Sequence, residues 1–587
     1  MSPRQTVTPR LLAALLCLFV ILLASCGPSS DTTQTPSRPG KASAEKQVLI
    51  APLAGISDIK TLDPGLSTDP ASINVIDMMF TGLVQLNDQL QVVPQLARSY
   101  HVDPHDGVTW TFTLKPGLSF SDGTPLTSQD VIFSIDRALQ PALKSFTAPI
   151  YLALVKDSDK LAAGKIKTLI GDSLLAPDAQ TVVIIANKPA SYFLDSLTYS
   201  CSYVVEKRLL DKYGSAFTAH LTEGGGAGPW KLLSYTPGKD MQFVPNPAYY
   251  GPKPQLKKVV FPFYQTADTA YKAYQVGQVS AAGVPSALQA SAKALPKGQY
   301  KQVPLLWISY LTMNYLVKPF DNIKIRQAFA LAINKDALVQ AVYRGTVLAS
   351  NHIVPQGMPG YNPALTGPAG VMGTQGNPEK AKQLFQQGLQ EEGLTLQTLP
   401  TITLTVASQG SADSRNKYAA LQQMWQSVLG VSVKINDVDL NKLITDIPAA
   451  TNNPKGLMFW SFSWVADYPD PQDWLTLQFD AGVPNNNMNY GQNQAANASV
   501  QQATQGLLRQ ADVNSNETER LQQYMKAEQQ LVDDVAWLPL YQLTGSFVRK
   551  PCVQGMVDNP EGLTPPDDWA NVFISTDTPC ADATAYH

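Results

Sequence analysis

The chain is poor in the residues that most catalytic chemistry needs. It holds five histidines and five cysteines in 587 residues, and 16% of its residues are charged, against roughly 25% in an average soluble domain. Lysine plus arginine (44) nearly balance aspartate plus glutamate (47), for a formal charge of −3. Such a chain has no global field to hold a polyanion, which argues against nucleic acid as a partner. It also lacks the G-x-S-x-G, H-E-x-x-H and G-x-x-x-x-G-K-[ST] patterns, so a nucleophile elbow, a zinc protease and a P-loop are disfavoured. His101 and His105 lie four apart, but Pro104 and Asp106-Gly107 make that segment a loop, which suits a solvated turn better than a metal site. His587 is the last residue and carries no weight. The run Gly224–Gly228 lacks the lysine and serine that would hold phosphate and magnesium, so it reads as a hinge or tight turn. No cofactor is expected, and no residue set assembles into a nucleophile, base and orienting group.

Long apolar runs are equally scarce. The one present, Leu11 to Ala24, follows Arg4 and Arg10 and is shorter than the ~20 residues of a spanning helix. It suits a signal peptide, an uncleaved anchor being the other reading. It ends in Leu23-Ala24-Ser25-Cys26, which resembles a bacterial lipobox and implies removal of residues 1–25 with lipid on Cys26. Residues 26–45 form the expected lipidated tether: after Cys26 they are rich in Gly, Pro, Ser and Thr with almost no apolar side chain, the composition of a flexible segment. Subtracting Cys17 and Cys26 leaves Cys201, Cys552 and Cys580, an odd number. Cys552 and Cys580 flank the C-terminal segment and are the pair expected to form a disulfide in an oxidising compartment.

What the chain has in plenty is length, proline (44 residues) and apolar residues (44%). Length alone suggests about four domain-sized units, and two or three lobes once large cores are allowed for. Gln47–Ala51 reads as a strand, and Ala71–Val84 has helical spacing. Trp110–Leu114 alternates apolar and polar, the mark of a half-buried strand. Thr127-Ser128-Gln129-Asp130 matches a capping box and starts a helix. Lys231–Tyr235 reads as a strand, and Ile323–Asn334, Pro378–Gln390 and Ala419–Leu429 as helices. Thr401–Val406 and Val431–Ile435 are alternating strands around the last of these, which argues for α/β construction. One cluster stands out. Trp464-Val465-Ala466-Asp467-Tyr468-Pro469-Asp470-Pro471 places two carboxylates, two aromatics and two prolines in eight residues. An acid held beside rigid rings suits an ammonium group by ion pairing and cation–π attraction. A proline turn with a solvated acid fits the same composition.

Read together, these segments resemble the extracytoplasmic solute-binding proteins of family 5, the receptors of ATP-driven importers of peptides and other solutes. The matching stretches occur in the family's order. They include Thr61-Leu62-Asp63-Pro64, Phe80–Val84, Val93–Ala97, Trp110–Gly117, Phe120–Thr127 and Asp130–Ser134. Gly226–Trp230, Asn246–Tyr250, Arg326–Asn334, Asn377–Ala381 and Leu538–Tyr541 follow. Gly277-Gln278-Val279-Ser280 departs from the family's G-E-x-D. The resemblance implies two hinged α/β lobes in a periplasmic-binding-protein-like fold, with an extra β-rich subdomain on the first lobe. Its implied segments are lobe I at 46–86, 222–309 and 545–587, the subdomain at 87–221, and lobe II at 310–544. In peptide-binding members the aspartate of Trp-x-x-Asp-Tyr receives the peptide's α-ammonium, which points to Asp467 with Trp464 and Tyr468 beside it. A cysteine of related binders is here Val465, so that bridge is missing. In dipeptide-type members an arginine on a second-lobe helix clamps the carboxylate, and Arg415 is the candidate. Backbone groups near Leu66–Ser72 are expected to pair with an extended peptide.

The expected function is a monomeric, lipid-anchored receptor that captures peptides outside the cell membrane and delivers them to an ABC permease, without covalent chemistry. The same fold holding a nickel chelate, opine, sugar or antibiotic is the alternative within the class. A secreted hydrolase and an adhesin are the alternatives outside it.

Overall fold

The computed structural model describes residues 40–408, 411–493 and 497–586. The expected signal peptide (1–25), the lipid site Cys26, most of the tether and His587 lie outside the described residues. The last tether residues lie inside them and are docked: Lys41 bridges to Ser575, and the Ala42 amide donates to the Ile574 carbonyl at 2.9 Å.

The first layer is a five-stranded sheet. Its apolar run Val48–Ile50 lies parallel to Lys258–Tyr264, as does Leu53–Ala54; Asp240–Pro245 and Trp230–Thr236 continue the sheet antiparallel. Helix α1 (Pro70–Met79) packs on it. Asp69 caps α1, accepting from the Ser72 amide at 3.0 Å, and Pro70 fills the first helical position, where no N–H is needed. Helical spacing in the sequence runs on to Val84, yet α1 stops at Met79. The cause lies far along the chain. The Gly228 amide donates to the Met79 carbonyl at 2.7 Å, and a Cβ on Gly226 would sit 2.1 Å from that oxygen. The glycine run is therefore a close-approach turn against a helix end.

The second layer is an antiparallel sheet of Ala97–Val102, Thr109–Leu114, Thr181–Ile185 and Leu174–Asp178, in that order. Trp110, Phe112 and Leu114 point inward while the intervening threonines stay half-buried. Helix α2 (Ser128–Leu139) covers this sheet. Its start is the capping box read in the sequence, with the Thr127 amide donating to Asp130 at 2.8 Å. Val131, Ile135 and Leu139 enter one core with Phe112 and Val182.

The third layer is a seven-stranded mixed sheet. Its order is Ala281–Gly283, Leu538–Arg549, Tyr300–Met313, Phe459–Val465, Thr403–Val406 and Lys434–Asp437, with Val347–Ala349 added to Leu538–Arg549. Along the chain its functional elements are strand β1 (Tyr300–Met313), helix α3 (Ala412–Leu429), strand β2 (Phe459–Val465), helix α4 (Glu517–Asp533) and strand β3 (Leu538–Arg549). Helix α3 begins seven residues before the periodic stretch at Ala419, capped by Ser411. Its Trp425 is fully buried and donates from Nε1 to the Phe329 carbonyl at 3.0 Å. The long strands β1 and β3 link two cores. Val548 packs with Ile50, Val260 and Tyr271, whereas Leu311, Leu538 and Leu540 pack with Phe329 and Trp425. Their pairing register breaks between Pro304 and Ile308, where proline offers no N–H to the ladder. The result is a two-lobed α/β molecule. Cys552 and Cys580 form a disulfide in the C-terminal segment, and Cys201 is a buried free thiol.

Candidate functional site

Strand β2 carries the site. Its side chains alternate, Trp460, Phe462 and Trp464 packing with the core around Trp537 while Ser461, Ser463 and Val465 face the other way. Pairing continues one residue past the strand, the Ala466 amide donating to the Leu306 carbonyl at 3.0 Å. Two prolines then turn the chain. Asp470 caps the short helix Pro471–Trp474, accepting from the Gln472 amide at 2.9 Å with Pro471 at the first position. The same carboxylate pairs with Arg520 on α4, and both side chains are buried. Asp470 is thus an anchor of the loop.

Asp467 is placed differently. It is half-buried, and its Oδ1 accepts a hydrogen bond from the Tyr151 hydroxyl at 2.9 Å, 316 residues away in the chain. Its own amide donates to Oδ2 of Asp473 at 3.0 Å, and the Trp464 Nε1 donates to the same oxygen at 3.2 Å. Asp473 is fully buried, and burial, followed by the neighbouring Asp467 charge, pushes its carboxyl well above the usual range. Burial also raises Asp467, opposed by the Tyr151 hydrogen bond. Of the two, Asp473 is the more deeply buried and the more strongly raised, and Asp467 is the more exposed. Tyr468 is buried, bonds to Gln472, and its ring lies parallel to Tyr192 at 6.2 Å. Tyr151 itself stacks on Tyr199 at 3.7 Å. The sequence cluster therefore meets Tyr151 and Tyr192, with Tyr199 stacked behind Tyr151. Ile150 and Val465, large apolar residues left exposed, adjoin Tyr151 and Trp464 in the chain; exposed Phe146 lies beside Thr147, whose hydroxyl donates to the carbonyl of Ser67, the neighbour of exposed Leu66.

Asp467, Trp464 and Tyr468 are brought together, and Arg415 is not among them. Arg415 is exposed on α3. Lys417, two residues on and hence on a different side of the helix, is buried, with its Nζ 4.5 Å from the Tyr418 ring centroid and 5.8 Å from that of Tyr541. Burial would lower this ammonium's pKa, but Tyr541 and Tyr418 outweigh it and hold the group above the ordinary lysine value. Lys417 lines a cavity of about 200 Å³ with Ser309, Ser461 and Ser463. A larger groove of about 860 Å³, by Val500, Leu507 and Met525, has no buried charged group in its wall. Of Leu66–Ser72, residues 70–72 already belong to α1, and the Ser67 carbonyl accepts from the Thr147 hydroxyl at 3.4 Å.

Two histidines face acids. His220 bonds Glu223 at 3.0 Å, and His352 lies 3.7 Å from Glu528. Among the described residues no serine or cysteine side chain bonds either imidazole, so neither pair has a nucleophile to activate. Tyr151, Tyr192, Tyr199, Asp473, Arg520 and Lys417 escaped the sequence reading. Asp470-Pro471 was the one usable local signal, a cap followed by a first-turn proline that announces the helix holding Asp473.

The chain resembles known proteins over nearly its whole length. A family model described as bacterial extracellular solute-binding proteins, family 5 Middle, matches residues 91–486. The oligopeptide-binding protein OppA of Bacillus subtilis (strain 168) is 25% identical over 556 residues, 93% of this chain and 96% of that protein. The heme-binding protein A of Haemophilus influenzae is 25% identical over 571 residues, covering 93% and 96%. Among solved structures, the MppA periplasmic murein tripeptide binding protein in its unliganded open form has a TM-score of 0.77 at 26% identity, covering 92% of this chain and 99% of that one.

Proposed function

The chain belongs to the bacterial extracellular solute-binding proteins of family 5, and on that premise we propose that it captures peptides between its lobes and delivers them to an ABC permease. The observation that carries this reading is the Asp467 carboxylate. It is half-buried, held by Tyr151 through one oxygen, and set in the same loop as Trp464, whose Nε1 and the Asp467 amide share Oδ2 of Asp473. A carboxylate has about four acceptor sites, so Oδ2 is available for a ligand ammonium while Tyr151 fixes the orientation. The exposed apolar residues Leu66, Phe146, Ile150 and Val465 would receive ligand side chains. Relatives named for oligopeptide and murein tripeptide binding support a peptide as the ligand class. Lobe I at 46–86, 222–309 and 545–587, the subdomain at 87–221 and lobe II at 310–544 are the bodies that would close on it, hinged where β1 and β3 cross. Arg415 at the surface of α3 is the cation first proposed for the ligand's carboxylate. A signal peptide over 1–25 and a lipid on Cys26 would hold the receptor, as a monomer, at the outer face of the membrane.

A second reading within the family is a non-peptide ligand, favoured by the relative named for heme binding at the same identity. Thermal-shift titration with tri- to hexapeptides, heme, sugars and nickel chelates separates the two. Stabilisation by peptides, with the peptide recovered intact, supports the proposal. Stabilisation by heme or a chelate alone overturns it, and cleavage of the added peptide would make the protein a hydrolase.

A further inference from the structure

A second acid, Asp77, has no part in the role argued for Asp467. It lies in the last turn of α1, between the buried Ile76 and Met78. A carboxylate there meets the negative end of the helix dipole and adds nothing to helix stability. The residues three and four places away, Ile73, Asn74, Phe80 and Thr81, offer it no cation. The Tyr203 side chain bonds the carboxyl. Its Oδ1, however, is sealed from solvent and has no hydrogen-bond partner among the described residues. A buried acceptor in that state is a net cost to folding, which a ligand donor would offset.

Asp77 lines a cavity of about 90 Å³, several times the space that one water needs. Phe261, Met556 and Trp569 give it apolar walls. Asn74, one turn before Asp77, is exposed, as is Gly562 on the other side, so the cavity opens between them. The rim beyond Gly562 is fixed in shape. Asn559 donates from Nδ2 to the Leu563 carbonyl at 2.8 Å, and the Leu563 amide donates back to its Oδ1 at 3.2 Å. An acid in the wall of a narrow apolar well suits an alkyl chain that ends in a cation: the walls take the methylenes and the carboxyl takes the charge.

The cavity is linked to Asp467 through tyrosines. Tyr199 and Tyr203 flank one turn, Ser200–Ser202, with the Tyr203 amide donating to the Ser200 carbonyl at 2.9 Å. Tyr203 bonds Asp77, while Tyr199 stacks on Tyr151, which bonds Asp467. Burial pushes the Tyr199 hydroxyl up, and the charges of Asp467 and Asp77 both add to that, so one ring lies within electrostatic reach of the two acids.

We propose that the Asp77 cavity is a side-chain pocket of the ligand site, and that it takes the lysine or arginine of a bound peptide. This rests on the peptide reading above and names a side-chain class for it. A free alkylamine presents the same chemistry, and the test separates the two.

The test is calorimetric titration of the full chain with alanine-based peptides of three to six residues. Each carries one lysine at a single position. Its counterpart carries norleucine there, which keeps the methylenes and lacks the ammonium. A further set is N-acetylated, and butylamine is titrated alone. At one position lysine should bind tighter than norleucine by about tenfold or more, as for a charged hydrogen bond, and arginine should do likewise. Asp77→Asn keeps the shape and an acceptor for Tyr203, and should abolish that difference while leaving the penalty of N-acetylation intact. Met556→Trp, which fills the cavity from another segment, should abolish it too. Glu561→Gln, at the half-buried acid next to Gly562, should leave it unchanged. Melting temperature serves as the fold control, and the wild-type comparison needs no variant. Equal binding of lysine and norleucine peptides at every position overturns the proposal, and Asp77-dependent binding of butylamine in that case assigns the cavity to a free amine. A preference that survives Asp77→Asn, or is lost with Glu561→Gln, also overturns it. A wild type indifferent to N-acetylation as well sinks the Asp467 reading, whereas sensitivity to acetylation alone sinks this one only.

Discussion

Replacing Asp467 by asparagine keeps the shape and removes the charge. The asparagine Oδ1 can still accept from Tyr151, whose hydroxyl reaches that position at 2.9 Å, and the backbone bond to Asp473 does not involve the side chain. The folded state should therefore survive. What is lost is the attraction between carboxylate and ligand ammonium. Truncating a hydrogen-bonded charge pair at an interface costs about 2–5 kcal/mol. Asp467 is only partly buried, so part of the screening by water persists and the lower end applies, about 2–3 kcal/mol. In dissociation constant that is a loss of about 30- to 150-fold. Calorimetric titration with one free-amine pentapeptide and its N-acetyl analogue reads it. Wild type should discriminate between them by that factor, and Asp467→Asn should bind both equally weakly with an unchanged melting temperature. If the variant keeps the discrimination, the ammonium is received elsewhere and the argument from Asp467 fails.

Other expectations follow from the same geometry. Burial raises the Asp467 pKa above its usual 3.8, so affinity for free-amine peptides should fall on the acid side at a pH above the ordinary carboxylate range. It should fall again on the basic side near about 8, where the ligand amine titrates. Tyr151→Phe removes the hydrogen bond that opposes this rise, so its acid limb should move to higher pH and its affinity drop by about fivefold; an unmoved limb would rule out the contact. Asp512, bonded by Thr476 and Tyr524 at 2.7 Å each, is pushed up to about 6 by burial. The folded state then keeps a proton that the unfolded chain releases near 3.8, so stability should decline as pH rises from about 4 to about 6 and level off above, by on the order of 3 kcal/mol. Melting curves across that range should show the decline, and Asp512→Asn should flatten it. Asp470→Ala removes a helix cap and leaves Arg520 buried without its partner, which should cost about 3–5 kcal/mol in denaturant unfolding; a loss below about 1 kcal/mol would mean that the pair contributes little. Cys26→Ser should release the protein from the membrane fraction, and persistent attachment would remove the lipid from the account.

Much of the fold was legible because its signals are local. The strand over Thr109–Leu114 shows its alternation within six residues, and the capping box at Thr127 lies beside the helix it starts. Helix α1 shows the limit of such reading, since its end is set by the glycine turn at 226–228, and no local pattern reports a contact from so far along the chain. Helix α3 was shortened for a related reason. Its first turns carry Asp413, Ser414, Arg415 and Asn416, whose polar run hides the periodicity. Asp467 stood out by composition and by family resemblance together. Lys417 did not, because a lysine in a polar helix start looks solvated. It is buried by Tyr541, which a different strand brings over it. Tyr151, Tyr192 and Tyr199 were invisible likewise, since it is tertiary packing that carries them to the Asp467 loop.

The central claim is that this receptor takes peptides with free amino ends. Native mass spectrometry of the protein purified from its own cells, followed by release and sequencing of whatever it carries, tests that most directly. The account predicts intact peptides with unmodified amino termini. Recovery of heme, a sugar or a metal chelate in place of peptide would contradict it.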